Sequence, residues 1–158
     1  MPSTLLPLDE VTATAREIVE RIVWCTVTTV TPDGAPRNRL MHPVWRWDGD
    51  APEALVTSRL TPIKLRHLAA NPHVSCFYWD PSHDTAAIDA TAEWVPAEDI
   101  PEAWETIRTT PPPVGFDPAM IWPDGPTSDG VGILRFTAHR IVATKAAQPG
   151  LRWTAAPT

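Results

Sequence analysis

Apolar residues recur at helical spacing near the start of the chain: Val11, Ala15, Ile18 and Ile22 form one stripe, the pattern of a helix that buries a single face. Asp9 stands where an N-cap would, so a first helix is predicted from Asp9 to about Ile22. The period then changes. Val23 to Val30 is rich in Thr, Val, Trp and Cys and reads as a strand, ended by the turn Thr31-Pro32-Asp33-Gly34. Arg37 to Trp47 predicts a second strand, at an edge or a bulge because Pro43 cannot donate to a ladder. After the turn Asp48-Gly49-Asp50, Ala54 to Thr57 predicts a short third strand. Thr61 is a good N-cap and Pro62 suits the first helical position, so a second helix follows, burying Leu65, Leu68 and Ala69. It should stop near Asn71-Pro72, because the residue before a proline disfavours helical geometry.

Val74 to Trp79 predicts a mostly apolar strand, and Pro81 to Asp84 a loop. From Thr85 to Val95 the pattern alternates. Ile88, Ala90, Ala92 and Trp94 fall on one side and Asp89, Thr91 and Glu93 on the other, as in a half-buried strand. Asp99-Ile-Pro-Glu102 resembles a capping box and opens a third helix to about Arg108. Pro111 to Gly130 is dense in Pro, Gly and Asp, and a loop that long is usually functional or mobile. Val131 to Thr144 is a last strand pair or one long bent strand. The tail from Ala146 is expected to be poorly ordered unless it packs on a partner. Six strands with local connections and three helices predict a mainly β fold, an antiparallel barrel with helices at its ends.

A chain of 158 residues makes one domain, and small domains often gain stability by dimerising. A net charge of −6 argues against a general nucleic-acid or anionic-membrane binder. The charge is uneven, however. Arg37, Arg39, Arg46, Arg59, Lys64 and Arg66 share one window with only Asp48, Asp50 and Glu53. A positive patch in an acidic protein suits a compact anion; scattered solvated arginines are the alternative. Cys25 and Cys76 lie in apolar runs and read as small buried hydrophobes in a reducing compartment. No secretory signal is expected before Asp9, and no apolar run reaches the ~18 residues that cross a bilayer. The cytoplasm is the expected location.

The chemistry concentrates at the second helix start. Lys64 falls in the first turn, where the macrodipole disfavours a cation unless an anion shares the site. If the second and third strands pair, Arg39 approaches Thr57. A phosphate could then be held by Arg39, Lys64, the Thr57 and Ser58 hydroxyls and the backbone at Thr61. Arg59 and Arg66 are second-rank candidates; solvated surface cations are the alternative for each. No metal site is expected: Asp80, His83 and Asp84 cluster in a loop without ligand spacing. His42, Trp45, Trp47, Tyr78, Trp79 and Trp94 are read as packing residues, with stacking at a cofactor or interface as the alternative.

The ordered set of these parts resembles the FMN-binding split barrel of the pyridoxamine 5′-phosphate oxidase-like superfamily, over about residues 10–145. The parts are the strand Cys25-Thr-Val-Thr-Thr-Val30, the turn Pro32-Asp-Gly-Ala-Pro36 and the basic strand start Arg39-Leu-Met-His-Pro-Val44. Val56-Thr57, Lys64 with Leu68-Ala-Ala-Asn-Pro-His73, and Ile88-Asp-Ala-Thr-Ala-Glu-Trp94 complete the series. The resemblance implies a six-stranded antiparallel split barrel in a single domain, with residues 146–158 as a tail. It implies a homodimer with the cofactor at the subunit interface, and FMN or the deazaflavin coenzyme F420 as that cofactor. It places the family's phosphate arginine at Arg39, its main-chain and hydroxyl contacts at Val56 and Thr57, and its helix-start lysine at Lys64. The full set of expected cofactor contacts is Arg39, Met41, Val56, Thr57, Ser58, Thr61, Lys64 and Arg66.

Departures from the family pattern narrow the expectation. Ile63 stands where an arginine usually precedes the lysine, so Arg59 or Arg66 would substitute. Ala90 stands where a glycine is often found, and Thr85 where true oxidases have a flavin-contacting glutamine. The substrate-phosphate motifs of true pyridoxamine phosphate oxidases are not evident, so vitamin B6 oxidation is not expected. What the resemblance implies is a flavin- or deazaflavin-dependent oxidoreductase acting on a small organic substrate. No protein acid, base or nucleophile is nominated, because a flavin carries the hydride chemistry. A non-catalytic cofactor carrier and a cofactor-free interaction domain are the competing readings.

Overall fold

The computed structural model describes residues 4–156. In chain order the elements are β1 (Thr4–Leu5), α1 (Leu8–Ile22), β2 (Cys25–Val30), β3 (Pro36–Met41), β4 (Val44–Arg46), β5 (Glu53–Arg59), α2 (Pro62–Ala70), β6 (His73–Trp79), β7 (Thr85–Trp94), α3 (Ile100–Thr109), β8 (Val131–Thr144) and β9 (Leu151–Thr154). The fold is mainly β, as predicted, and β8 organises it. One edge of β8 pairs with β7; the other pairs with β5 over its first half and with β9 over its second. From β7 the sheet continues through β6 and β2 to β3, while β4 hangs on β5. Among the described residues no pairing joins β3 back to β4 or β5, so the barrel stays split. A bulge in the β7–β8 ladder, between Asp89 and Ala90, leaves His139 unpaired and lets the long strand bend.

Two cores follow from which faces are covered. The larger one packs the α1 stripe of Val11, Ala15 and Ile18 against barrel residues such as Val27, Val56, Cys76, Ile88 and Phe136. The second joins Val44, Leu55 and Ile133 to Trp104 and Ile107 of α3 and to Trp122 of the loop before β8. Because β5 is covered on both faces, Ala54, Leu55 and Val56 are all buried in sequence. That continuous apolar run is the signature of a strand with no solvated side. Inside the barrel, Trp45 Nε1 donates to the hydroxyl of fully buried Tyr78 at 2.9 Å.

Several expectations change. Among the described residues there are nine strands rather than six, and the sheet is not wholly antiparallel, because β1 pairs parallel with β9. Leu151–Thr154 is thus an ordered strand and not a loose tail; residues 157–158 lie outside the described residues. The predicted strand from Arg37 to Trp47 is two, broken at His42-Pro43, where the chain leaves β2 and crosses to β5. Asp9 does not cap α1; Pro7 holds that position, and Asp9 lies in the first turn, where its charge suits the helix dipole. Asp99 is the N-cap of α3 but makes no capping hydrogen bond through its side chain. The two cysteines are buried and free.

Candidate functional site

Local chemistry at the start of α2 behaves as the sequence predicts. Thr61 is the N-cap, Pro62 follows it, and Thr61 Oγ1 accepts from the Lys64 backbone N–H at 3.3 Å. The helix ends at the Asn71 C-cap, just before Pro72. This start places Lys64 over the end of β5. Its ammonium donates to Ser58 Oγ at 2.9 Å and to the Arg59 carbonyl at 3.2 Å. Burial, and then the charges of Arg39 and Arg59, hold the Lys64 pKa below the usual lysine range. Arg39 projects from β3 into the same region, its guanidinium donating to Thr29 Oγ1 at 2.6 Å. Among the described residues none of Arg39, Arg59 and Lys64 forms an ion pair with a carboxylate. Arg16, Arg21, Arg46, Arg108, Arg135, Arg140 and Lys145 each find one.

These groups line one end of a cleft of about 770 Å³, within the usual size of small-molecule sites. The other end is aromatic. His42 stacks on Phe116, ring centroids 4.7 Å apart, and lies 5.1 Å from Trp24. Its Nε2 is 2.7 Å from the Val114 carbonyl, which can only accept, so Nε2 carries the hydrogen. Burial outweighs that hydrogen bond and pushes the His42 pKa down. Met120 and Ile121 complete the apolar wall, and Trp122 receives the Arg59 guanidinium 5.9 Å above its ring. That contact is a cation–π pair that ties the loop to the cationic end.

Of the expected site residues, Arg39, Met41, Thr57, Ser58 and Lys64 line the cleft together. Three do not. The Val56 side chain is buried in the barrel core, which leaves only its main chain for the contact the resemblance implied. The Thr61 side chain is used in capping α2, and the expected contact was through its backbone. Arg66 is exposed on α2 and outside the cleft; Arg59 occupies the place it was expected to fill. Nor does Arg39 reach the site by pairing with β5. Its ladder partner is Val27 in β2, and the split between β3 and β5 is what opens the cleft.

His42, read from sequence as a packing residue, lines the cleft, and Trp79 is half exposed instead of buried. Asp80 and Asp84 both pair with Arg21. Trp24, Phe116, Met120 and Trp122 were missed as site residues. The unusual length of the 111–130 segment pointed toward Phe116, Met120 and Trp122; nothing in the sequence pointed toward Trp24.

Comparison with known proteins agrees with this geometry. The family model described as pyridoxamine 5′-phosphate oxidase matches residues 11–145. No curated protein sequence matches significantly. Among solved structures, a protein related to general stress protein 26 of the pyridoxinephosphate oxidase family from Clostridium acetobutylicum superposes with a TM-score of 0.74 at 15% identity, covering 94% of this chain and 96% of that one. A pyridoxamine 5′-phosphate oxidase-related, FMN-binding protein from Nostoc punctiforme gives 0.60 at 13%, covering 94% and 90%. An F420 reductase gives 0.51 at 21%, covering 80% and 94%. At these identities the structures share the fold. Among the described residues no helix is long and apolar enough to cross a membrane. Since the family match runs from the buried stripe of α1, through the elements that carry Arg39 and Lys64, to the end of β8, the chain belongs to the pyridoxamine 5′-phosphate oxidase family.

Proposed function

We propose that this protein is an oxidoreductase that binds FMN and exchanges a hydride or electron pair with a small organic molecule; coenzyme F420 is the alternative cofactor. The observation that carries the reading is the convergence of Arg39, Arg59 and Lys64 at one end of the cleft with no carboxylate among its lining residues. Three cations held together and left unneutralised raise one another's cost; the Lys64 pKa is lowered first by burial and then by the charges of Arg39 and Arg59. An anion between them relieves that cost. The donor set fits a phosphate: a guanidinium for bidentate contact, an ammonium, the Thr57 and Ser58 hydroxyls, and the first turn of α2. The FMN-binding relative and the F420 reductase on the same fold support the choice of cofactor.

In this reading Arg39 and Lys64 bind and orient the phosphate. Met41, Phe116 and Trp122 exclude water from the apolar part of the cleft. When bound, the flavin supplies the hydride chemistry. Burial lowers the His42 pKa and so disfavours its charged form. The open cleft beside the 111–122 segment favours an enzyme over a carrier, because it leaves a path for a second molecule. We further propose a cytoplasmic homodimer. Leu40, Thr26 and Phe77 line up across β3, β2 and β6 on the outer face, and Leu40, Phe77 and Trp79 are exposed there. Such an apolar row suits a second copy of the chain. The testing experiment is a titration of the protein with FMN, F420 and riboflavin. Tight binding of one phosphorylated cofactor, with weaker binding of riboflavin, is expected; failure of all three to bind overturns the reading.

A further inference from the structure

The end of α1 carries a backbone conformation that needs a reason. Val23 has φ 70° and ψ −58°, and the Trp24 N–H donates to the Ile22 carbonyl at 2.8 Å. This is a γ-turn of the rare positive-φ form, and a β-branched residue is poorly suited to it. Strain of this kind gathers where a side chain must be aimed. Here it aims Trp24, which is 53% exposed although it lines the cleft. Against Trp24 stands His42, and behind His42 stands Phe116. The Val114 carbonyl fixes the His42 tautomer, leaving Nδ1 as a lone-pair acceptor.

We propose that Trp24, His42 and Phe116 form the recognition subsite for the organic substrate, and that it selects a flat ring without positive charge, bearing an N–H or O–H donor for His42 Nδ1. The inference rests on the reading that the cationic end of the cleft holds the cofactor phosphate. Flatness follows from the aromatic wall, which rewards stacking. The donor follows from the tautomer. A cationic substrate is disfavoured, because Arg39, Arg59 and Lys64 share the cleft and no Asp or Glu lines it.

The test compares 2-naphthol with 2-methoxynaphthalene, which share a ring and differ in one donor. Binding is measured by equilibrium dialysis, with and without saturating FMN. For the parent protein 2-naphthol should bind about tenfold more tightly, the value of one hydrogen bond. Trp24→Ala should weaken both probes by about tenfold or more and Trp24→Phe should restore most of the loss, as for an aromatic contact. His42→Phe should abolish the preference for naphthol while ring binding remains. FMN affinity should stay within about twofold of the parent in the Trp24 variants.

Equal binding of the two probes, or probe affinity unchanged by Trp24→Ala, overturns the proposal. So does a loss confined to FMN, which would assign the aromatic wall to the cofactor. So does a change in sedimentation with no change in probe affinity, which would assign Trp24 to the subunit contact. Failure of FMN to bind at all counts against the cofactor reading instead, and the probe titration without FMN still decides the subsite.

Discussion

Replacing Lys64 by Met isolates the electrostatic argument, because Met keeps most of the aliphatic stem and removes the charge. In the free protein two effects oppose each other. The hydrogen bonds to Ser58 Oγ and the Arg59 carbonyl are lost, each worth about 0.5–1.5 kcal/mol. Relief from burial and from repulsion by Arg39 and Arg59, the causes of the lowered Lys64 pKa, acts the other way. The stability of the free protein should therefore change by less than about 1 kcal/mol. FMN binding has no such offset. One charge-assisted contact to the phosphate is worth roughly 1.5–3 kcal/mol, so affinity should fall about 10- to 150-fold. Riboflavin, which lacks the phosphate, should bind the variant and the parent alike. Quenching of flavin fluorescence gives both constants, and urea unfolding gives the stability. If FMN and riboflavin weaken together, or FMN does not weaken, the phosphate lies elsewhere and the reasoning fails.

Because the Lys64 pKa lies below its usual 10.5, first through burial, the lysine loses its charge earlier than an exposed one as pH rises. FMN affinity should fall through that window while riboflavin affinity stays flat. In the same window the unfolded chain holds more protons than the folded one, so the lysine's contribution makes the free protein more stable as pH rises; the difference between parent and Lys64→Met in urea unfolding reads it. Val23→Gly removes strain of order 1–3 kcal/mol against a glycine entropy cost of about 0.5–1 kcal/mol and the loss of about 1 kcal/mol from a partly buried side chain. Stability in urea unfolding should therefore stay within about 1 kcal/mol of the parent; a loss of about 2 kcal/mol or more would refute the strain. Tyr78→Phe strands the buried Trp45 Nε1 donor and should cost about 1–3 kcal/mol. Combining it with Trp45→Phe should cost less than the sum of the two, whereas strict additivity would show that the bond contributes nothing.

What could be read from the chain was whatever is decided locally. Thr61 and Pro62 announce the start of α2 because capping and a preset φ need no distant partner. The alternation of Ile88, Ala90 and Ala92 announces β7 because burial of one face repeats every second residue. Residues fixed by distant contacts were not readable. Arg39 and Lys64 line one cleft, but not by the expected route, because Pro43 marks a break without saying that β4 would cross to β5. The pairing of β1 with β9 joins the two ends of the described chain, and neither segment has a pattern of its own strong enough to signal it. Trp24 depends on a positive φ at a valine, which propensity argues against. Phe116 and Trp122 belong to a segment whose sequence shows only turns and prolines, and whose position is set by α3 and by Arg59.

The measurement that bears most directly on the central claim is the absorption spectrum of the protein as purified, with mass identification of whatever denaturation releases. A visible flavin or deazaflavin band and release of FMN or F420 are expected. A colourless protein that releases neither, and that gains no band on incubation with either, would contradict the claim.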